Sequence, residues 1–150
     1  MHQMLIVFPL GLMGGSAVFD LLYRATGQAQ FAIVAFYLIG AGLLAGFAAA
    51  PFGAWDWLAI PVGTRAKSIG LMHAMGNVVV LLLFVASWWL RRRAPVEPTV
   101  AAQLLSIGGA LLTLVTGWLG GELVDRLGVG ISDGAHLDAP SSLHASVPKR

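Results

Sequence analysis

Cysteine is absent from all 150 residues. That removes disulfides, thiolate metal sites, iron–sulfur clusters and covalent c-type haem attachment. Charge is nearly as scarce: 11% of residues are Asp, Glu, Lys or Arg, against about 25% in soluble domains. So few charges cannot cover a water-facing surface, and lipid must be the solvent for most of the chain. The balance of nine Lys/Arg against seven Asp/Glu is too even to suit nucleic acid. The cations sit instead at the ends of apolar runs, where orientation signals belong. No Lys or Arg precedes the first apolar run. That run also exceeds the ~7–15 residues of a signal-peptide core, so it reads as a retained membrane helix.

What is present is hydrophobic: 57% of the chain, with mean hydropathy +0.80. Four apolar stretches stand out, at residues 4–23, 31–50, 68–90 and 100–124. Each reaches the ~20 residues that cross a hydrocarbon core about 30 Å thick. The expected fold is all-α, an integral membrane four-helix bundle at residues 1–124 with short loops. Residues 125–150 are polar and read as an extramembrane tail. Pro9 should kink the first helix by deleting a hydrogen bond to the previous turn. The pairs Gly11/Gly15, Gly42/Gly46 and Gly117/Gly121 have small-xxx-small spacing, which lets helices approach closely.

An even number of spans puts both termini on one side of the membrane. Arg24, Arg91, Arg92 and Arg93 flank the spans on the opposite side. Arg65, Lys67 and Arg126 lie close to the membrane on the terminal side, with Lys149 and Arg150 far along the tail. The positive-inside rule then places both termini outside the cytoplasm. Tyr23, Trp88 and Trp89 mark the inner interface, and Trp55, Trp57 and Trp118 the outer one.

Ionisable groups inside spans are costly and are functional candidates by default. Asp20 precedes Arg24 by four residues, and Glu122 precedes Arg126 by the same spacing, the favourable order for helical ion pairs. Both read first as structural pairs. Asp56, in "AWDWL", reads as a capping or loop-ordering group between interfacial tryptophans. Ser106, Thr113 and Thr116 read as packing groups. His73, in "GLMHAMGN", lies roughly 7–8 Å inside its helix, counting 1.5 Å per residue from Ser68. Asn77 follows one turn deeper on the same face. An imidazole at that depth needs a partner, with Glu122 the leading charged candidate and a backbone carbonyl the plainer one. The topology gathers His2, His73, His136 and His144 on one side of the protein. His2 with His73 is the best pair for holding a b-type haem between helices.

Four segments, "HQMLIVFPLGLMGGSAVFDLL", "GLLAGFAAAPFGAWDW", "GLMHAMGNVVVLLLFVASW" and "GWLGGELVDRLGVGI", together resemble the bacterial membrane family called domain of unknown function 2231. The resemblance covers about residues 2 to 131 and implies a four-helix fold in the bacterial inner membrane. Some relatives are fused to a Rieske iron–sulfur domain, which implies a link to membrane electron transfer. His73 and Asn77 match the family's "HALxN"-like segment. This chain reads His2-Gln3 where relatives often have His-Pro, and Glu122 where some have histidine.

Two functions follow as expectations. The first is an accessory or structural subunit of a larger, energy-transducing membrane complex, with lipid and other membrane subunits as partners and no nucleic acid. The alternative is a haem b electron-transfer protein using His73 with His2. An enzyme is the less favoured class, because no span offers a nucleophile beside a histidine at suggestive spacing. The tail from residue 128 is expected to gain order by docking on the bundle or on another chain.

Overall fold

The computed structural model describes residues 2–132 and 134–141. All regular structure among them is helical: α1 (His2–Leu5), α2 (Val7–Thr26), α3 (Ala29–Ala59), α4 (Arg65–Arg91) and α5 (Val100–Gly121). A single π-helical turn, Glu122–Arg126, continues α5. α1 and α2 together form one span, so four helices are long and apolar enough to cross a membrane. The helices run up, down, up, down. α2 packs chiefly on α3 and α4 on α5, and the contacts α3–α4 and α2–α5 close the ring.

Local chemistry sets most of the ends. Pro9 lacks the N–H that would reach the carbonyl of Leu5. The helix is interrupted three residues upstream, at Ile6, and α1 stands as a separate turn. Gly27 ends α2 in the left-handed conformation, φ 70°, with its N–H on Tyr23 O at 2.8 Å. Thr64 and Thr99 cap α4 and α5 by accepting from the N–H of Lys67 and Ala102. After the π-turn, Gly128 takes φ 67° and the Val129 N–H returns to Leu123 O at 2.9 Å. That closure accounts for the first glycine of the "GVG" exit.

α3 runs past residue 50, where the apolar stretch stops, through Pro51 to Ala59. What the sequence presents as a loop, "PFGAWDWLA", is therefore helix. Trp57 and Lys67 hold its end. The indole Nε1 donates to Lys67 O at 3.1 Å, and Lys67 Nζ donates to Trp57 O at 2.8 Å while lying 3.9 Å over the Trp57 ring. The ammonium thus serves the helix's orphan carbonyls and its negative dipole end together. Asp56 is exposed in this last turn, with no side-chain partner among the described residues.

The outside of the bundle is apolar and the inside is small and partly polar. Leu44, Leu82, Leu104 and Leu114 are exposed to the lipid side, while Ser16, Asp20, Ser87, Arg91, Gln103, Ser106 and Thr116 are buried. Met13, Ile39, Leu43, Val80 and Phe84 form the apolar core. Gly42 and Gly46 admit it: a Cβ at Gly42 would lie 2.9 Å from Met13 Cγ, and one at Gly46 2.8 Å from Leu81 Cδ2. Gly117 and Gly121 differ from expectation. A Cβ on either meets nothing within 4 Å, so that pair is not a contact within this chain. The close approaches between α4 and α5 occur at Gly76, Gly109 and Gly120 instead.

In the tail, Ile131, Ser132 and residues 134–140 are exposed. His144, Lys149 and Arg150 lie outside the described residues.

Candidate functional site

The two ends of the bundle hold different polar sites. At one end, Arg91 and Asp20 are both completely buried. Arg91 Nη1 donates to Asp20 Oδ1 at 2.8 Å and Nη2 to Oδ2 at 2.9 Å, the bidentate geometry that suits a guanidinium. Nη2 also reaches Ser87 Oγ at 3.1 Å, Ala102 O at 3.0 Å and Ser106 Oγ at 3.2 Å. The Ser106 hydroxyl donates to Asp20 Oδ2. This network ties α2, α4 and α5 together. The expected Asp20–Arg24 pair is therefore not formed. Arg24 donates to Gln103 Oε1 at 3.3 Å, and Asp20 turns inward to the cation 71 positions away. Four residues of spacing permit a helical pair, but a carboxylate facing the interior needs a partner that is also inside. Nothing in the linear pattern separates Arg91 from Arg92 and Arg93. Only the packing shows that the first points in, while Arg92 lies over the Trp89 ring at 3.4 Å.

The opposite end brings His2 and His73 to one cavity of about 150 Å³. Its wall is apolar, with Ile6, Pro9, Leu10, Met13, Val80 and Leu81 reaching about two turns below the histidines. Two similar seats position the rings. His73 Nδ1 meets Thr116 O at 2.8 Å, and its ring lies over Gly120, where a Cβ would be 3.1 Å from Cε1. His2 Nδ1 meets Ala49 O at 3.2 Å, and its ring lies over Gly53, where a Cβ would be 2.8 Å from Cε1. In each case the accepting carbonyl stands four residues before the glycine. Gly76 completes the first seat, because a Cβ there would press on Thr116 Cγ2 at 2.6 Å and push α5 away.

These contacts decide the tautomers. A carbonyl oxygen only accepts, so each Nδ1 carries its proton, and in the neutral imidazole each Nε2 then presents a lone pair. Asn77 Nδ2 donates to His73 O at 3.0 Å and to His73 Nε2 at 3.0 Å. The first bond settles the amide orientation, since the reverse would set two carbonyl oxygens against each other. His73 thus faces the interior and is paired, as expected, and the plainer partner is the one found. Glu122 serves neither histidine. It accepts from Arg65 Nη2 at 2.6 Å and lies 3.7 Å from Arg126 Nε, so the expected Arg126 contact is present but secondary. Asp56 also stands apart from the cavity. Among the described residues, no three His, Asp or Glu side chains lie close enough to hold a bare metal ion.

Nothing in the residue pattern signals that Ala49, Gly53 and Gly120 shape this site, beyond their place in "AAAPFGAW" and "GWLGG". Their roles are a backbone carbonyl and two missing side chains, and neither leaves a mark in a residue pattern.

Fold and site together define a four-span helical membrane protein with a two-histidine cavity at one end and a buried Asp–Arg clamp at the other. Residues 1–133 match the family described as "Predicted membrane protein (DUF2231)", and the chain belongs to that family. No curated protein and no solved structure matches it.

Proposed function

We propose that this protein is an accessory subunit of a larger, energy-transducing membrane complex, and that its histidine end is the working end. The observation that carries this reading is the exposed segment leaving that end of the bundle. At Ile131, Ser132 and residues 134–140 the segment is exposed, with Ile131 48% exposed and Leu137 fully exposed. A polar segment that displays isolated apolar side chains gains order by lying on a partner. A photo-crosslinking side chain at Leu137, in the native membrane, should capture a defined membrane protein. Capture of lipid alone would refute the subunit reading.

The setting we propose is the bacterial inner membrane with both termini outside the cytoplasm. Arg91 is consumed by Asp20, which leaves Arg24, Arg92 and Arg93 to signal the cytoplasmic side. At the other end Arg65 and Arg126 both face Glu122, and Lys67 caps α3. The less compensated cations thus favour the arginine end as cytoplasmic. A C-terminal reporter active only in the cytoplasm would reverse this orientation.

A second reading has its own support: His2 and His73 as axial ligands of a haem b that carries electrons. Pinning Nδ1 on a carbonyl is the usual way to aim Nε2 at a metal. The donor set fits, although Asn77 would have to release His73 Nε2 and the helices would have to part around a macrocycle much larger than the present cavity. Haem would supply one-electron chemistry, and the chain would supply the two imidazoles and an apolar enclosure. Oxidised and dithionite-reduced spectra of the purified protein test it. A Soret band lost in His73→Ala would support it, and a colourless protein from haem-replete cells would remove it.

A further inference from the structure

The polar valences of the cavity can be counted completely. Five polar side chains line it: His2, His73, Asn77, Thr113 and Thr116. Every donor they own has an assignment. The two Nδ1–H groups go to Ala49 O and Thr116 O. The Asn77 amide hydrogens go to His73 O and Nε2. The Thr113 hydroxyl donates to Gly109 O at 2.8 Å and the Thr116 hydroxyl to Thr113 O at 3.2 Å. Of His2, His73 and Asn77 at its polar end, two side-chain acceptors remain without a partner among the described residues: His2 Nε2 and Asn77 Oδ1. The cavity is thus apolar along its depth and acceptor-only at its polar end.

We propose that this cavity binds a neutral, lipid-soluble molecule bearing hydroxyl groups, of the phenol or hydroquinone class, which donates to His2 Nε2 and Asn77 Oδ1. Chemistry on both sides of the contact selects this class. A ketone, ester or quinone brings acceptors to acceptors and leaves both sides desolvated without a hydrogen bond. A hydrocarbon fills the apolar depth but leaves the two acceptors bare. A hydroxylic ligand satisfies both ends. The unequal state of the imidazoles also favours it over axial ligation of iron, since His73 Nε2 is already engaged by Asn77 while His2 Nε2 is open. The proposal stands independently of the subunit reading.

The test compares three probes on the full chain in detergent: trimethylhydroquinone under reducing conditions, its dimethyl ether, and trimethylbenzoquinone. Saturable binding is read by isothermal titration. The hydroquinone should bind about tenfold or more tightly than either comparator, the factor expected for one hydrogen bond of ~1.4 kcal/mol. His2→Phe keeps an aromatic ring over Gly53 and removes the lone pair, so it should abolish the preference while leaving the weak affinity for the ether. Equal binding of ether and hydroquinone would overturn the proposal, as would tighter binding of the quinone or no binding of any probe. Purification with stoichiometric haem ligated by His2 and His73 would overturn it too, because both lone pairs would then be on iron. If His2→Phe does not fold, the comparison of the three probes on the unaltered chain still decides.

Discussion

Replacing Asp20 by Asn is the most informative change at the arginine end. The side chain keeps its shape and one acceptor oxygen but loses its charge. Arg91 then remains fully buried with no counter-ion, and one of its two bonds to position 20 faces an amide N–H₂ instead of an oxygen. Removing one partner of a buried ion pair costs about 3–5 kcal/mol, because the surviving charge stays desolvated. Ser87, Ser106 and Ala102 O still solvate the guanidinium, so the lower part of that range, about 3 kcal/mol, is expected. Arg24→Ala is the control that the helical spacing itself suggests. Arg24 makes one side-chain bond, at 3.3 Å and partly buried, so its loss should cost less than about 1 kcal/mol. Reversible unfolding in mixed detergent, followed by tryptophan emission, measures both. A third variant with Leu at positions 20 and 91 should recover most of the loss, since apolar pairs often replace buried ion pairs without penalty. Equal losses for Asp20→Asn and Arg24→Ala would refute the clamp, as would an unaffected Asp20→Asn.

Three further outcomes follow from the packing. Val at Gly53 or Gly120 should unseat His2 or His73, since a Cβ already falls 2.8 or 3.1 Å from the ring; imidazole chemical shifts by NMR should move for that ring alone, and unchanged shifts would mean the seats are looser than drawn. Ala at both Gly117 and Gly121 should be neutral or stabilising by up to about 1 kcal/mol each, because open space meets the new methyl and helix propensity rises; a lower unfolding midpoint of the isolated chain would contradict this. Lys67→Ala should fray the end of α3 at a cost of about 1 kcal/mol, seen as faster hydrogen exchange from Trp55 to Ala59 with the rest of the bundle unchanged.

Much of the architecture is legible in the residue order, for a simple reason. Lipid forces every backbone polar group into a helix, so length and hydropathy alone count the spans. Proline is equally local, which is why the interruption before Pro9 agrees with the expected kink. The lasting helicity of 51–59 is less legible. Pro51 and "AWDW" read as a loop until Lys67, ten positions on, is seen closing the helix end. His73 and Asn77 are legible as a polar face because i and i+4 align on any helix.

Partners across helices are decided only by the fold. Asp20 had a well-spaced cation at Arg24 and pairs with Arg91, because which face of α2 turns inward depends on three other helices. Gly117 and Gly121 have the spacing of a contact and meet nothing, while Gly53 and Gly120 carry no motif and seat two imidazoles. Sequence spacing specifies which residues share a helix face; the rotation of that helix in the bundle determines what the face meets. The composition and order of the chain therefore determine a four-span membrane protein with a histidine end and an arginine end. The acceptor-only cavity and the buried clamp arise from tertiary packing, because a hydrogen bond's direction and a missing Cβ's clearance exist only between helices.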